Sequence, residues 1–567
     1  MMANRLIDLM FERRGLTRDD YLNLERNLGG ELMDMDAAVA WLRDVFARAD
    51  GEHTLVVAPD FDMDGIMAGT TLVAGLSELG FPVELFVPDP AEGYGLPVAA
   101  ADRLVAEHPS ARWVVTCDMG ISERVGIERL CEHGLHVLVT DHHQENPVTS
   151  SRDVAEVVVD PCRVDETFPL PAICGAAVAW RVLAAYAAAY GTVDEQDRIS
   201  RLRVLAGIGT ISDLMPLKHE NRGLVRDAEA ILRLVWANPE PWFVESVTGS
   251  PAYTGVFRGL SEVLAAFNAD HPFGSPAEID EKFIGFSLAP TFNAAKRLGM
   301  DMGHAFNVFL GTPEARTAGI QALMAGNAER KRLVKEALAE IHDTYQPYAP
   351  VAFITDAPAG VVGLIASKLM DESGLPTLVV RRNSDGSLSG SGRSPEWYPF
   401  LTRTRGMQVC AAGHEGAFGV GFSSEDLLAD QSQAIKDDAR DLLAILPGAE
   451  SREDVDIIIG DGGDVGYDVP LLAEFVSLAQ GYGPFGRGWP APRARVIASA
   501  GSWRARAMGS EGQHLSITCL NGMRCVCWNE GELADGLVGA IEVEGELSLH
   551  EFMGNVSVEL IGSVVRK

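Results

Sequence analysis

Short apolar runs that each end in an aspartate recur through the first third of the chain. Four of them, rich in valine, read TLVVAPD, RWVVTCD, HVLVTD and EVVVDP, and they end in Asp60, Asp118, Asp141 and Asp160. Continuous apolar runs separated by helix-length segments are typical of the central strands of a parallel sheet, which is buried on both faces. The carboxyl ends of such strands meet at one edge, where ligands collect. We therefore expect these carboxylates to converge on one site.

The pattern changes twice further along the chain. Residues 318–345 predict one long helix with charges spaced along it, and a second α/β unit follows in VAFITD, GVVGLIASKLMDESG and PTLVVRR. From about residue 490 the chain alternates in five short runs with glycine turns, which predicts a small barrel or sandwich. The predicted fold is α/β: a parallel-sheet domain, a long connector helix, a smaller α/β domain and a C-terminal β-barrel.

Composition limits the compartment and the partners. Eight cysteines in 567 residues are too few for a disulfide framework, so we expect a cytoplasmic protein. The run AICGAAVAWRVLAAYAAAY contains Arg181 and predicts a packing helix, and the charged N-terminal stretch is no signal peptide, so no membrane association is expected. A net charge of −33 argues against nonspecific coating of nucleic acid. It allows an enzyme with a local basic groove or bound divalent cations.

Carboxylates and imidazoles cluster around the strand ends. DFDMDG adds Asp62 and Asp64, VTDHHQ adds His142 and His143, and ISDLMPL adds Asp213. A helix cap is the alternative interpretation for a single strand-end aspartate. Oxygen and imidazole ligands without a thiolate suit two Mn²⁺ or Mg²⁺ ions better than structural zinc. Two such ions activate a bridging water and neutralise charge on an attacked phosphate, which predicts hydrolysis of a phosphoric ester or anhydride.

Motifs along nearly the whole chain resemble the DHH phosphoesterase superfamily. DFDMDG, TCDMG, VTDHHQ and ISDLMPL are similar to its four successive motifs. GVVGLIASKL, SGSGRS and AGHEGAFG resemble the associated DHHA1 domain, and GYGPFGRGWPAP precedes a barrel similar to an OB-fold. The resemblance implies an exonuclease that degrades single-stranded DNA 5′→3′ to mononucleotides in DNA repair or recombination. It implies a DHH catalytic domain at 1–300, a connector helix at 301–346, a DHHA1 domain at 347–455, and a linker with an OB-like domain at 456–567.

The resemblance also implies a role for each matched residue. The ligands of two Mn²⁺ or Mg²⁺ ions would be Asp60, Asp62, Asp64, Asp118, His142 and Asp213, with Asp118 bridging. His143 would contact the scissile phosphate, and Asp141 would support the imidazoles. The residues that hold DNA would be Arg297, Ser391, Arg393 and His414. The barrel would hold the strand through aromatic and basic groups such as Trp503, Arg504 and Arg506.

Four positions depart from the superfamily pattern. Pro90 stands where an arginine is common, no arginine lies near Thr291, Lys296 replaces a usual glycine, and Ala412 replaces the first glycine of a usual GGH. The expected metal ligands are all present, whereas the groups expected to hold phosphate are fewer. The residues present therefore support metal-dependent hydrolysis more strongly than they support a preference for a 5′ end.

Other functions remain open at this point. One alternative is a DHH phosphodiesterase of short oligonucleotides or cyclic dinucleotides, although such chains usually lack a C-terminal barrel. A pyrophosphatase would be near half this length. A catalytically idle DHH scaffold for replication or repair would have no reason to keep every ligand, and divalent-metal-dependent nuclease activity would separate it from an enzyme. The expected partners are single-stranded DNA and either a single-strand-binding protein or a helicase, and the expected state is a monomer.

Overall fold

The apolar runs form a parallel sheet in the computed structural model, which describes residues 2–24, 28–49, 52–238, 249–344, 351–445, 455–509, 512–552 and 555–566. Its strands are β1 Thr54–Pro59, β2 Val83–Leu85, β3 Ala111–Cys117, β4 His136–Thr140 and β5 Val157–Val159. They pair in the order β2-β1-β3-β4-β5, and every pair is parallel. The predicted central sheet is confirmed. Its short edge strand β2 was not predicted, because three residues carry no clear periodicity.

Helices connect the strands and cover the sheet. In chain order the α-helices of the described residues are Met2–Arg13, Arg18–Leu24, Met35–Arg48, Met63–Glu78, Val98–Glu107, Arg124–Glu132, Gly175–Tyr190, Val193–Arg201, Arg203–Ser212, His219–Ala237, Pro251–Asp270, Glu281–Phe283, Ala289–Leu298, Gly303–Leu310, Pro313–Thr344, Ala359–Ser373, Phe400–Arg403, Glu425–Ile445 and Val469–Gln480. The helix Met63–Glu78 is buried from Met63 to Leu76. None of the described helices is both long enough and apolar enough to cross a membrane.

A second sheet carries the motifs expected in a DHHA1 domain. Its strands are β6 Ala352–Ile354, β7 Thr377–Arg382, β8 Leu388–Arg393, β9 Cys410–His414 and β10 Ala417–Phe422. They pair in the order β6-β7-β8-β10-β9, with β6 and β7 parallel and the other neighbours antiparallel. The glycines of SGSGRS predict a loop that could approach a phosphate closely, and this prediction was wrong, since the segment lies largely within β8. Its glycines are needed because a Cβ on Gly392 would collide with the ring of Phe418.

The third sheet belongs to a separate compact unit built from Met1–Gly30, Leu214–Asp227 and Arg452–Lys567. Its strands are β11 Ile457–Gly460, β12 Arg493–Ala498, β13 Trp503–Met508, β14 His514–Cys519, β15 Arg524–Cys527, β16 Ile541–Phe552 and β17 Asn555–Arg566. They pair in the order β11-β12-β16-β17-β15-β14-β13. Strands β11 and β13 were not predicted. Leu6 and Phe11 of the first helix share a hydrophobic core with Leu472 and Phe475.

The other compact unit consists of Glu31–Asp213 and Ala228–Ser451, and it contains the first two sheets. These units divide the chain differently from the expected domain bounds, which stay a prediction. The bound expected at 346–347 lies outside the described residues. The long helix expected at 318–345 begins earlier, at Pro313, and is described to Thr344.

Candidate active site

Three strand ends bring carboxylates to one edge of the parallel sheet. Asp60 follows β1, Asp118 follows β3 and Asp141 follows β4, and their side chains are buried. Asp118 has a φ of 59°. This left-handed conformation costs a residue with a Cβ on the order of 1 kcal/mol, so the surrounding structure has to hold it in place. Asp160 also follows a strand, but its Oδ1 accepts from the Cys162 N–H, and it belongs to none of the candidate metal groups found in the described part of the chain.

The expected ligands, together with His143, form overlapping groups in which the ligand atoms lie within 4.8 Å of one another. These groups are Asp60 with Asp62 and Asp118, Asp64 with His142 and Asp213, and Asp118 with His142 and His143. His142 Nε2 joins them, at 3.0 Å from Asp118 Oδ1 and 3.7 Å from both Asp64 Oδ2 and Asp213 Oδ2. The arrangement offers two adjacent ion positions with His142 and Asp118 between them.

Backbone donors orient two of the three carboxylates of DFDMDG, those of Asp62 and Asp64. Asp62 caps the helix Met63–Glu78, and its Oδ1 accepts from the N–H groups of Asp64 at 3.0 Å and Gly65 at 3.2 Å. Asp64 accepts from the first N–H groups of the helix Gly175–Tyr190, those of Gly175 at 2.6 Å and Ala176 at 3.1 Å. Helix N-termini stabilise negative charge, so both aspartates are held with an oxygen turned to the site.

Asp141 organises the two histidines that follow it. Its Oδ1 accepts from the backbone N–H groups of His142 at 2.7 Å and His143 at 3.2 Å, and lies 2.8 Å from His143 Nδ1. The other oxygen accepts from the Ile121 N–H at 2.9 Å. The far nitrogen of His143, Nε2, lies 3.0 Å from the Tyr94 hydroxyl. Asp141 therefore fixes the orientation of the His143 ring through Nδ1 and leaves Nε2 to contact Tyr94.

Several buried carboxylate oxygens have no hydrogen-bond partner. Among the expected ligands these are both oxygens of Asp60 and Oδ1 of Asp118, which lies near His142 Nε2 without forming a hydrogen bond; Asp160 Oδ2, outside the candidate metal groups, is another. Buried polar atoms without partners are rare in folded proteins and usually bind an ion or water. An unpaired buried carboxylate is costly unless a cation compensates it. The donor set therefore fits divalent cations such as Mn²⁺ or Mg²⁺, whose preferred ligands are oxygens with a few imidazoles.

The mutual repulsion of these acids appears in their pKa values. Burial and the charge of Asp62 raise the pKa of Asp60 to about 7. Burial and the charges of Asp64 and Asp62 raise the pKa of Asp213 to about 8. Burial, with the same neighbouring acids, also raises the pKa of Asp118 well above its ordinary value. The acids can all be ionised together only with positive charge among them.

Two groups near the acids have pKa values set by a partner. Burial acts to raise the pKa of Asp62, but Lys296 and backbone N–H donors outweigh it and lower the pKa. Burial acts to lower the pKa of His143, but the hydrogen bond and charge of Asp141 raise it to about 10. His143 is thus a cationic donor held at the edge of an anionic site.

Arginines and a serine lie together in the same compact unit. Arg393 Nη1 donates to Ser391 Oγ at 2.9 Å, and Arg297 Nη1 donates to the Gly360 carbonyl at 3.1 Å. Burial, and then the positive charges of Arg330 and Arg393, lower the pKa of Arg297. Among the described residues no ion pair reaches the three guanidinium groups, so they form a partly buried basic cluster that suits an anion.

His414 lies apart from this cluster. In the second sheet Ala417 pairs with Arg393 on one side and with His414 on the other, which puts the two backbones about 10 Å apart. His414 is exposed, and within the described part of the chain no hydrogen bond links it to Ser391 or the arginines. Pro90, at one departure from the family pattern, begins a short 3₁₀-helix.

Sequence reasoning missed three side chains at this site. Tyr94 contacts His143, Lys296 contacts Asp62, and Arg330 joins the basic cluster. The sequence indicated no role for Tyr94, and Lys296 was noted only as a departure from the family pattern. Arg330 had no signal of its own, because it lies among many charges on the helix Pro313–Thr344.

Comparisons with known proteins find two family domains and several relatives of the chain. The DHH family, N-terminal domain, matches residues 54–208, and the RecJ OB domain matches residues 471–563. The single-stranded-DNA-specific exonuclease RecJ of Bacillus subtilis is 28% identical over 531 residues, 90% of this chain and 61% of that protein. The Escherichia coli protein of the same name is 26% identical over 592 residues, 95% of this chain and 92% of that protein. The chain therefore spans less than two thirds of the Bacillus subtilis relative.

Solved structures show the same fold. RecJ of Thermus thermophilus in complex with Mn²⁺ superposes with a TM-score of 0.70 at 24% identity, over 99% of this chain and 75% of that one. A structure of exonuclease RecJ bound to manganese has a TM-score of 0.54 at 26% identity, over 74% of this chain and 96% of that one. The matched domains, the relatives and the order of the sheets agree: residues 54–208 match the DHH family, and the chain is similar to RecJ exonucleases over most of its length.

Proposed function

We propose that the chain is a metal-dependent exonuclease that degrades single-stranded DNA 5′→3′ to mononucleotides, in DNA repair or recombination. The observation that carries this proposal is the set of buried carboxylate oxygens of Asp60 and Asp118 without hydrogen-bond partners, at the edge of a parallel sheet. Its RecJ relatives are named for activity on single-stranded DNA. The family match and this donor set together support phosphodiester hydrolysis.

The proposed ion ligands are Asp60, Asp62, Asp64, Asp118, His142 and Asp213. Two bound Mn²⁺ or Mg²⁺ ions would supply an activated water and neutralise charge on the phosphate. The chain's own contribution is positioning: helix N-termini hold Asp62 and Asp64, and a strained backbone holds Asp118. The scissile phosphate would lie against His143, whose ring Asp141 fixes through Nδ1. His143 Nε2 can then donate to a phosphate oxygen once that nitrogen leaves Tyr94.

The basic cluster is the proposed holder of DNA phosphate. Its proposed members are Ser391, Arg393 and Arg297, together with Arg330, whose positive charge acts on Arg297. Guanidinium groups without carboxylate partners bind phosphate oxygens in a forked geometry. A terminal phosphate carries more charge than an internal one, so this cluster would favour a strand end. His414 would contact the strand further along, because it lies two strands away from Arg393.

We also propose a setting for the enzyme. Single-stranded DNA is its substrate, a single-strand-binding protein or a helicase would supply it, and the protein acts as a monomer in the cytoplasm. The eight cysteines are unpaired and several are buried, which suits a reducing compartment.

One assay tests metal-dependent hydrolysis. The full chain, stripped with EDTA, should lose activity on labelled single strands and regain it with Mn²⁺. Asp118→Asn should lose at least about a hundredfold in rate, because it removes charge between the two ion positions. Asp194→Asn, at an exposed position on the helix Val193–Arg201, is the matched control and should keep the parent rate. Activity equal to that of the parent in Asp118→Asn, or activity that persists after EDTA, would overturn the proposal. A parent that is inactive both with and without metal would favour an idle scaffold.

A further inference from the structure

Lys296 places a positive charge directly against the acidic site. It lies on the helix Ala289–Leu298, and its Nζ is 3.2 Å from Asp62 Oδ2 and 5.5 Å from the centroid of the Phe61 ring. The side chain is 21% exposed, so the ammonium group is partly withdrawn from water. The contact with the carboxylate and the ring face together hold it beside the acids.

Both oxygens of Asp62 already have partners. Oδ1 accepts the capping hydrogen bonds from Asp64 and Gly65, and Oδ2 pairs with Lys296. A cation bound by Asp60, Asp62 and Asp118 needs an oxygen of Asp62. Taking Oδ1 would uncap the helix Met63–Glu78, which costs about 1 kcal/mol. The available oxygen is therefore Oδ2, where an arriving ion meets the ammonium group.

The second ion position has no such competitor. His142 Nε2 lies 3.7 Å from both Asp64 Oδ2 and Asp213 Oδ2, and no lysine or arginine forms an ion pair with either acid in the described part of the chain. A neutral imidazole is itself a metal ligand, whereas an ammonium group repels a divalent cation. The position at Asp62 therefore already contains one positive charge, that of Lys296, which the other position lacks.

We propose that Lys296 competes with a divalent cation for Asp62 and makes the two ion positions unequal. The position formed by Asp64, His142 and Asp213 fills first. The position formed by Asp60, Asp62 and Asp118 fills at higher metal concentration, with Lys296 leaving Asp62 as the ion enters. This inference rests on the proposed two-ion function. Filling of the position formed by Asp60, Asp62 and Asp118 then determines how activity depends on metal concentration.

Metal binding by the full-length protein tests the proposal without measuring activity. The metal-free parent is titrated with Mn²⁺ by calorimetry, and the bound ions are followed by electron paramagnetic resonance. We expect one tight and one weaker ion in the parent. Lys296→Gln should tighten the weaker ion by about tenfold or more, because the competing charge is gone. Lys296→Arg keeps the charge and should keep two unequal affinities.

The controls separate this proposal from the proposed function. Lys335→Gln removes an exposed lysine from the helix Pro313–Thr344 and should match the parent in both affinities. Circular dichroism checks that each variant is folded, and Lys296→Met replaces Lys296→Gln if the latter is not. Two equal affinities in the parent, or an unchanged weaker affinity in Lys296→Gln, would overturn the role of Lys296 alone. A parent that binds no Mn²⁺ would overturn the two-ion function as well.

Discussion

The proposed role of Arg393 can be tested by comparing two substrates, single strands with a 5′-phosphate and single strands with a 5′-hydroxyl. Its guanidinium group donates to Ser391 and has no carboxylate partner among the described residues. We expect Arg393→Ala to slow digestion of 5′-phosphorylated single strands about tenfold to a hundredfold, the effect of losing hydrogen bonds to a charged group. Strands with a 5′-hydroxyl should lose less. The exposed Arg405 is the control, and Arg405→Ala should leave both rates unchanged. Equal losses on both substrates would show that Arg393 does not contact the terminal phosphate.

Glu229 gives a prediction at the same scale that is independent of catalysis. It is buried, its Oε2 accepts from Arg233 at 3.1 Å, and burial together with the charge of Glu281 raises its pKa to about 8. The folded protein then holds this proton up to about pH 8, while the unfolded chain releases it near its ordinary value of 4.5. The stability that the raised pKa provides at low pH is therefore lost as the pH rises through this window.

Glu229→Gln should remove this pH dependence, because glutamine stays neutral. We expect the stability of the variant relative to the parent to increase between pH 5 and pH 8, by at most about 1.4 kcal/mol per pH unit. Urea unfolding at several pH values measures it. Glu340→Gln, at an exposed position, should show no such trend. A flat difference for Glu229→Gln would mean that Glu229 is ionised in the folded state.

At the scale of elements, the start of the helix Gly175–Tyr190 positions the site. The N–H of Gly175 donates to Asp64, and a Cβ at this residue would lie 2.7 Å from the Cβ of Asp118. Gly175→Ala should therefore displace Asp118 and lower both Mn²⁺ affinity and rate by about tenfold or more. Gly223 is the matched control, because a Cβ there meets no atom within 4 Å. Gly223→Ala should keep the parent rate, and a parent-like Gly175→Ala would contradict the proposed role of this helix.

The elements also show how far the sequence could predict the site. The sequence placed Asp60, Asp118 and Asp141 correctly at strand ends, because a fully apolar run predicts a central strand without any further signal. The strand β8 was missed because SGSGRS has low β-propensity, and only its partner Phe418 in β10 explains the glycines. The pairing of Lys296 with Asp62 joins residues 234 positions apart. Local spacing cannot predict such a contact, since it depends on how separate helices pack.

At the scale of the whole molecule, the net charge of −33 has to be reconciled with the anionic substrate that we propose. Affinity for single strands should rest on a few basic contacts and fall steeply with salt. Arg504 and Arg506 are exposed on β13, at the edge of the third sheet, and their spacing of two puts them on one face. Arg504→Ala and Arg506→Ala should each reduce the slope of log affinity against log salt by about one. Unchanged slopes would remove β13 from the DNA contact.

Point substitutions test the contribution of β13 to DNA binding better than removal of the C-terminal sheet does. The first helix, Met2–Arg13, shares its hydrophobic core with Val496 and Leu515 of the same compact unit. A truncation before residue 490 would therefore expose apolar side chains of that helix as well as remove the DNA contact. Fluorescence anisotropy of a labelled single strand, at several salt concentrations, measures each variant while the core stays intact.

The central claim is that the acid cluster and the basic cluster together degrade single strands from the 5′ end. The most direct measurement uses two internally labelled single strands with the full chain and Mn²⁺, one blocked at its 5′ end and the other at its 3′ end. The 3′-blocked strand should be degraded to mononucleotides, and the 5′-blocked strand should persist. Efficient digestion of the 5′-blocked strand would contradict the claim.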